Sequence, residues 1–243
     1  MADTISQISA SVDALMHEFD VITHNLANVS TVGYKRRCTA LFESLLAQES
    51  TTEQEPNGSV TPTTSIDFSQ GHFVQTDRPL DLALFGKGFF VIETPEGPLY
   101  TRNGMFQLNQ NGQIVNSDGR LVAGEAGPIT IPTAFAQSQL HVTSEGTISA
   151  GGTTIGKLRV VDFPDNEDKL VPAGGSCYRM PEAIEPVAAA NIAVRQGYQE
   201  ASNVRTVDEL VDMIIVSRLY EANMKAIAAQ KEASSSIIEV AAS

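Results

Sequence analysis

Apolar residues recur at alternating steps of three and four at both ends of the chain, the spacing that places them along one side of a helix. In the N-terminal stretch they are Ile5, Ile8, Val12, Leu15, Phe19, Ile22 and Leu26. In the C-terminal stretch they are Leu210, Met213, Tyr220, Met224, Ile227 and Ile238. The pattern predicts one helix ending near residue 27 and another beginning near residue 207. We expect the two helices to pair as a coiled-coil stem.

Between the helical stretches the apolar period changes to two, which is typical of β-strands. Leu80, Leu82 and Leu84 predict a half-buried strand, and the apolar run at residues 89–92 predicts a fully buried one. Tight turns of an antiparallel meander are predicted at Asn103-Gly104, Asn111-Gly112 and Asp118-Gly119. The expected fold class is therefore α+β, with a β-rich central domain between the two stem helices.

Turn-forming residues mark where the helices should end. Gly33 readily takes the positive φ of a terminating turn, and we expect Asn28, Gly33, Ser202 and Asn203 to shape the helix ends. The polar stretch 49–65 predicts a loop that is mobile in the isolated subunit. The chain then divides into an N-terminal stem helix (1–30), a connecting region with this loop (31–75), a β-rich outer domain (76–185), a return connection (186–205) and a C-terminal stem helix (206–243).

Composition and charge exclude several functions. The chain has 243 residues, a formal net charge of −13 and only 16 Lys and Arg residues, which argues against binding to nucleic acid. No apolar run is long enough to cross a membrane. The N-terminus does not resemble a secretory signal, so we expect either a cytoplasmic protein or export by a route that uses no cleaved signal.

No catalytic, cofactor-binding or metal-binding constellation is apparent. His17 and His24 share a helical face, but no cysteine or paired carboxylate completes a zinc site around them. We expect no cofactor and no enzymatic activity. A remote alternative is a soluble carbohydrate-processing enzyme that uses carboxylates such as Asp118 and Glu145. That chemistry would need the two carboxyl groups about 5–10 Å apart.

Several motifs, in the same order along nearly the whole chain, resemble those of bacterial flagellar rod and hook proteins. The N-terminal motifs are Asn25-Leu26-Ala27-Asn28 and Ser30-Thr31-Val32-Gly33-Tyr34-Lys35. The central motifs are Phe68-Ser69-Gln70-Gly71, Arg78-Pro79-Leu80-Asp81-Leu82-Ala83-Leu84, Gly86-Lys87-Gly88-Phe89-Phe90 and Tyr100-Thr101-Arg102-Asn103-Gly104. The C-terminal motifs are Gln196-Gly197-Tyr198-x-Glu200-x-Ser202-Asn203-Val204 and Arg218-x-Tyr220-Glu221. His24 departs from the pattern, because Asn is usual there.

The resemblance implies a structural subunit of the flagellar basal-body rod. Such a subunit is exported unfolded through the flagellar type III apparatus, without a cleaved signal peptide, and polymerises with copies of itself and other rod proteins in the periplasm. The stretches Gly124–Ile129 and Asp77–Asp81 look most like proximal rod subunits; the alternative is a distal rod or short hook-type subunit.

The resemblance also implies that both terminal helices line the inner tube of the rod. We expect the helices to order only when packed against neighbours, the alternative being a helical hairpin within one subunit. The predicted assembly residues are Ile8, Val12, Leu15, Phe19, Ile22, Leu26, Leu210, Met213, Tyr220, Met224 and Ile227.

Overall fold

The structure is a computed structural model that describes residues 2–39, 64–132, 134–181, 184–190 and 192–242. For residues 2–8, 137 and 233–242 it describes the backbone alone. The predicted loop at 49–65 therefore lies outside the described residues except for its last two positions. The side chains of Ile5, Ile8 and Ile238, which belong to the predicted helical stripes, lie outside them as well.

The chain forms two compact units. The first, called here the helical unit, contains the described parts of residues 1–27, 37–65 and 205–243. The second, called here the β-rich unit, contains residues 28–36 and the described parts of 66–204. The α+β class and the β-rich domain expected from the sequence are confirmed.

The helical unit is built on two helices, α1 (Ala2–Ala27) and α2 (Thr206–Ala242). A short strand β1 (Arg37–Thr39) pairs with β2 (Thr64–Ile66). The hydroxyl of Thr39 donates a hydrogen bond to the carboxylate of Glu18 on α1. Helix α1 ends at Ala27, as predicted, and α2 begins at Thr206, one residue before the predicted start.

A ten-stranded sheet dominates the β-rich unit. Its strands are β5 (Phe89–Glu93), β6 (Leu99–Thr101), β7 (Gln107–Leu108), β8 (Ile114–Val115), β9 (Leu121–Gly124), β10 (Gly127–Pro128), β14 (Val160–Asp162), β15 (Val171–Gly174), β16 (Cys177–Arg179) and β17 (Val187–Ala188). The main order is β15-β16-β6-β5-β9-β8-β7, with β10 beside β9 and β14 between β5 and β17. All the paired strands are antiparallel.

Smaller sheets complete this unit. Strands β11 (Leu140–Val142), β12 (Thr147–Ala150) and β13 (Thr153–Lys157) form an antiparallel meander. Strand β4 (Leu82–Phe85) pairs with β18 (Ala193–Gln196), and β3 (Phe73–Gln75) pairs with β19 (Tyr198–Glu200). Residues 193–196 and 198–200, which the sequence placed in a return connection, are therefore strands of the β-rich unit. Sequence spacing does not reveal such pairing between segments far apart in the chain.

The main sheet separates two apolar clusters, because successive strand residues point to opposite faces. On β5, Phe90 and Ile92 belong to one cluster, whereas Phe89 and Val91 belong to the other. This explains the uninterrupted apolar run at residues 89–92. The strand predicted to be half-buried around Leu82 and Leu84 is buried on both faces.

Two of the three predicted tight turns connect neighbouring strands. Asn111-Gly112 lies between β7 and β8, and Asp118-Gly119 lies between β8 and β9. Gly104 of the third pair allows close packing, because a Cβ atom there would collide with the backbone oxygen of Leu82. A side chain is excluded there by close packing, which the turn motif alone does not indicate.

Candidate assembly interface

Two hydrogen bonds join α1 and α2 within the helical unit. The amide of Asn25 donates to a carboxylate oxygen of Glu209 over 3.3 Å, and the amide of Asn223 donates to the hydroxyl of Ser11 over 3.3 Å. Asn25, near the end of α1, contacts Glu209, near the start of α2. Ser11, nearer the start of α1, contacts Asn223, which lies farther along α2. The two helices therefore run antiparallel along each other.

The α2 residues that face α1 follow steps of four and three, as a helical seam requires. Glu209 and Asn223 are hydrogen-bonded to α1, and Val216 and Tyr220 line a groove shared with it. The half-buried Met213 and Ile227 fall on the same line. Three of the predicted α2 residues lie on this line: Met213, Tyr220 and Ile227. Leu210 and Met224 lie one position beyond it and are exposed.

The predicted α1 residues differ widely in burial. Ile22 is buried, with only 1% of its surface exposed, whereas Phe19 is exposed. Val12, Leu15 and Leu26 are half-buried, and the side chain of Ile8 lies outside the described residues. The structure thus buries some of the predicted assembly residues wholly or partly and leaves others exposed.

An apolar groove lies between the two helices where the exposed residues meet. It has a volume of about 480 Å³ and is lined on α1 by Leu15, Met16, Phe19 and Asp20. On α2 it is lined by Val216, Ser217, Tyr220 and Glu221. Its two acidic residues are both exposed, so the groove is apolar inside and negative at its edge.

Helix α2 also carries a second apolar face, which the sequence analysis missed. Val207, Val211 and Ile214 are 72%, 50% and 55% exposed, respectively. With 3.6 residues per turn, these positions lie opposite the seam that contacts α1. A helix that is apolar on opposite faces is typical of one buried on both sides. The sequence feature that could have revealed this face is the apolar spacing 207, 211 and 214, which repeats the steps of the seam in a different register.

A buried asparagine fixes the end of α1 to strand β1. The side-chain oxygen of Asn25 accepts a hydrogen bond from the backbone N–H of Arg37 over 2.9 Å, and its amide donates to the Arg37 carbonyl over 2.8 Å. Asn25 is fully buried. Beside it, burial and then the positive charge of Arg37 lower the pKa of His24 below its ordinary value of 6.5.

The predicted helix-end residues lie in the β-rich unit, and two of them, Asn28 and Gly33, lie in turns. The hydroxyl of Thr31 donates to the side-chain oxygen of Asn28 over 3.2 Å. Gly33 has a φ of 68°, and a Cβ atom there would collide with the backbone of Asn103. Only glycine combines that backbone conformation with the absence of a side chain.

On the C-terminal side, Asn203 joins three segments. Its side-chain oxygen accepts from the N–H of Arg36 over 2.7 Å, and its amide donates to the carbonyl of Asp67 over 2.8 Å. The hydroxyl of Ser202 accepts from the N–H of Val204 over 3.1 Å. These side chains replace backbone partners where the chain leaves regular structure.

A buried group of charges, which sequence reasoning did not find, lies nearby. The ammonium of Lys35 is 2.6 Å from Oε1 of Glu200, and the guanidinium of Arg102 is 3.6 Å from Oε2. The N–H of Gly71 also donates to Oε1 over 3.0 Å. Burial lowers the pKa of Lys35 below its ordinary value, and the adjacent Glu200 carboxylate opposes that shift.

Comparison with known proteins gives matches along most of the chain. Residues 83–150 match a family model described as the flagellar hook protein FlgE/F/G D1 domain, and residues 195–240 match the flagellar basal body rod FlgEFG protein C-terminal model. The chain is 35% identical to the flagellar basal-body rod protein FlgG of Buchnera aphidicola from Acyrthosiphon pisum, over 89% of this chain and 91% of the relative. It is 33% identical to FlgF of Salmonella typhimurium over 87% of each chain, and 29% identical to FlgF of Caulobacter vibrioides over 93% and 92%.

The chain belongs to the flagellar basal-body rod protein family. The first family model covers strands β5 to β12 and most of β4, and the second covers α2 up to residue 240. Rod family proteins are structural components of the flagellar basal body, so the carbohydrate-processing alternative is set aside. The chain is similar to both FlgG and FlgF, with identity somewhat higher to the FlgG relatives, and these similarities do not decide between the two.

Among the described residues, no three His, Cys, Asp or Glu side chains are grouped so that they could hold a metal ion. In the same part of the chain, neither helix is both long enough and apolar enough to cross a membrane.

Proposed function

We propose that this protein is a structural subunit of the rod that spans the periplasm and transmits torque from the motor to the hook. Family membership supports the location in the basal body. The observation that carries the assembly function is the exposed apolar face of α2 at Val207, Val211 and Ile214. Full burial of such a side chain contributes about 1.5–3 kcal/mol, so packing against neighbours would stabilise the assembled state.

The two helices form the stem of the subunit as a coiled-coil pair. The antiparallel contacts from Ser11–Asn223 to Asn25–Glu209 support this arrangement. Its assembly residues are those predicted from the sequence, together with the outward face of α2. Close-packed side chains deform little under load, which suits a shaft that must remain stiff when twisted.

Neighbouring subunits complete the ordering of both helices. In the single chain the helices already contact each other, which is closer to the hairpin alternative than to unpaired ends. The exposed Phe19 and Tyr220 nevertheless have apolar surface left for a neighbour. Hydrogen exchange should be slower for α1 amides in the assembled rod than in the purified subunit; equal rates would contradict this proposal.

Within the rod, the subunit occupies the proximal position, as the stretches 77–81 and 124–129 suggest. A distal or short hook-type subunit is the alternative. If the position is proximal, deleting this gene should remove the distal subunit from isolated basal bodies. Deleting the distal subunit should leave this protein in place. The reverse dependence would assign it to the distal rod.

The subunit reaches the rod through the flagellar type III export apparatus without loss of a signal peptide. The mass of the protein taken from isolated basal bodies should then match the full encoded chain, apart from the initiating methionine. A shorter N-terminus would contradict this route. In cells that lack the apparatus, the protein should not be exported and should accumulate in the cytoplasm.

The main experiment is deletion of the gene followed by complementation. Cells without it should lack rods and be non-motile, and the full-length gene should restore both. A variant lacking residues 1–30 should be produced but absent from basal bodies. Normal motility of the deletion strain, or of the truncated variant, would refute a rod function.

A further inference from the structure

The outward face of α2 continues from apolar to basic residues. Val207, Val211 and Ile214 are followed on the same side by Arg218 and Lys225, because 3.6 residues per turn bring positions seven apart into line. Both basic side chains are exposed. Neither forms an ion pair with another described residue of the chain. We call this surface the α2 stripe.

The groove between the helices has the opposite charge. Asp20 lies at its edge, and Asp13 lies seven residues earlier on the same side of α1. Both carboxylates are exposed and make no ion pair among the residues whose side chains are described. Seven helical residues span about 10.5 Å, so the two acidic groups on α1 have the same spacing as the two basic groups on α2.

From this match we propose that the α2 stripe of one copy docks in the groove of a second copy, with Arg218 facing Asp20. Apolar stripe residues enter the groove, and the basic residues meet its acidic edge. This inference rests on the proposed rod function and specifies which surfaces of two copies meet. It commits to a second copy because the groove and the stripe complement each other in both charge and spacing.

The same geometry requires two molecules. The stripe lies on the side of α2 away from the seam with α1 and borders the groove at Glu221, seven residues after Ile214. The groove itself lies between the two helices. A subunit therefore cannot fill its own groove with its own stripe. Two different surfaces that complement each other form a heterologous contact, which repeats as an open helical assembly unless the rotation closes a ring.

Charge exchange tests the pairing in cells that carry the variant as their only copy. Asp20→Lys and Arg218→Glu should each lower the amount of subunit in isolated basal bodies by about tenfold or more and abolish swarming, because each places like charges together. The combination of both substitutions should restore assembly. Glu185→Lys, an exposed charge reversal in the β-rich unit, is the control and should assemble normally.

Cysteine cross-linking tests the contact directly. In a Cys38→Ser background, Met16→Cys in the groove and Ile214→Cys on the stripe should together give cross-linked dimers and larger products in basal bodies. Each single substitution should give none. Because a disulfide within one chain adds no mass, a ladder of products requires contact between copies.

The outcomes separate this inference from the rod function itself. If the wild-type subunit is in basal bodies but both charge reversals assemble normally, the pairing is wrong and the rod function stands. Cross-linking to a protein of different mass would show that another rod component occupies the groove. If wild-type protein is absent from basal bodies, the rod function is itself refuted.

Discussion

Substitution of Glu200 by Gln should be the most damaging conservative change in the β-rich unit. The carboxylate is completely buried between the ammonium of Lys35 and the guanidinium of Arg102. Gln has nearly the same size and keeps an acceptor for the N–H of Gly71, but it carries no negative charge. The variant therefore leaves two buried cations without a counter-charge while changing little else.

The magnitude follows from the cost of an unpaired buried charge. Removing one partner of a buried ion pair costs about 3–5 kcal/mol. At roughly 2–4 °C per kcal/mol for a protein of this size, the unfolding temperature should fall by about 6–20 °C. Glu96→Gln is the matched control, because Glu96 pairs with Arg179 over 2.9 Å at an exposed site. That change should cost about 1 kcal/mol or less.

Tyrosine fluorescence during thermal unfolding provides the assay. The protein has no tryptophan, and of its five tyrosines only Tyr220 lies outside the β-rich unit. The signal therefore reports mainly on that unit, while far-ultraviolet circular dichroism follows the helices. Adding Lys35→Met to Glu200→Gln should recover part of the lost stability, because one of the two uncompensated charges is then removed.

The proposed coupling of the three buried charges fails if Glu200→Gln lowers the unfolding temperature no more than Glu96→Gln does. It also fails if the double variant is destabilised by the full sum of the two single effects. Either result would mean that the three charged groups do not act as a coupled unit in the folded protein.

Three further predictions concern residues close to the end of α1 or the start of α2. Gly33→Ala should destabilise the β-rich unit by more than the roughly 1–2 kcal/mol of left-handed backbone strain, because a side chain also collides there. Gly119 has a φ of 78° and open space around it, so Gly119→Ala should show the backbone strain alone. Equal losses of stability in the two variants would contradict this prediction. Folding lowers the pKa of His24, so the free energy of unfolding should fall as pH drops from about 6.5 through the folded pKa. His24→Asn should flatten that part of the plot of unfolding free energy against pH. An unchanged plot would contradict this prediction. Asn203→Ala should cost about 1–3 kcal/mol in denaturant unfolding, since the N–H of Arg36 loses its partner; a cost below about 0.5 kcal/mol would contradict it.

Short-range patterns predicted much of this fold correctly. The end of α1, the start of α2, the α+β class and the apolar strand at residues 89–92 follow from local period and turn-forming residues. The tight turns at Asn111-Gly112 and Asp118-Gly119 do so as well. These features depend on residues that are close together in the sequence, where each side chain limits the backbone directly.

Features that depend on distant partners were not predicted. Lys35 belonged to a short basic run in the sequence, and only folding brings it to Glu200. The second apolar face of α2 was not predicted, because a helix with two apolar faces allows more than one line of three and four steps. The sequence identifies the apolar positions on such a helix, but it does not say which face meets α1.

The pairing of β18 and β19 with β4 and β3 affects how the protein is made. Ribosomes release the N-terminal part of a chain first, so residues 73–85 emerge long before the strands that pair with them. The nascent β-rich unit therefore cannot be completed until residue 200 is free. We expect fragments ending near residue 190 to be degraded rapidly by proteases, whereas fragments ending near residue 204 should resist. The β-rich unit would thus remain incompletely folded for most of translation.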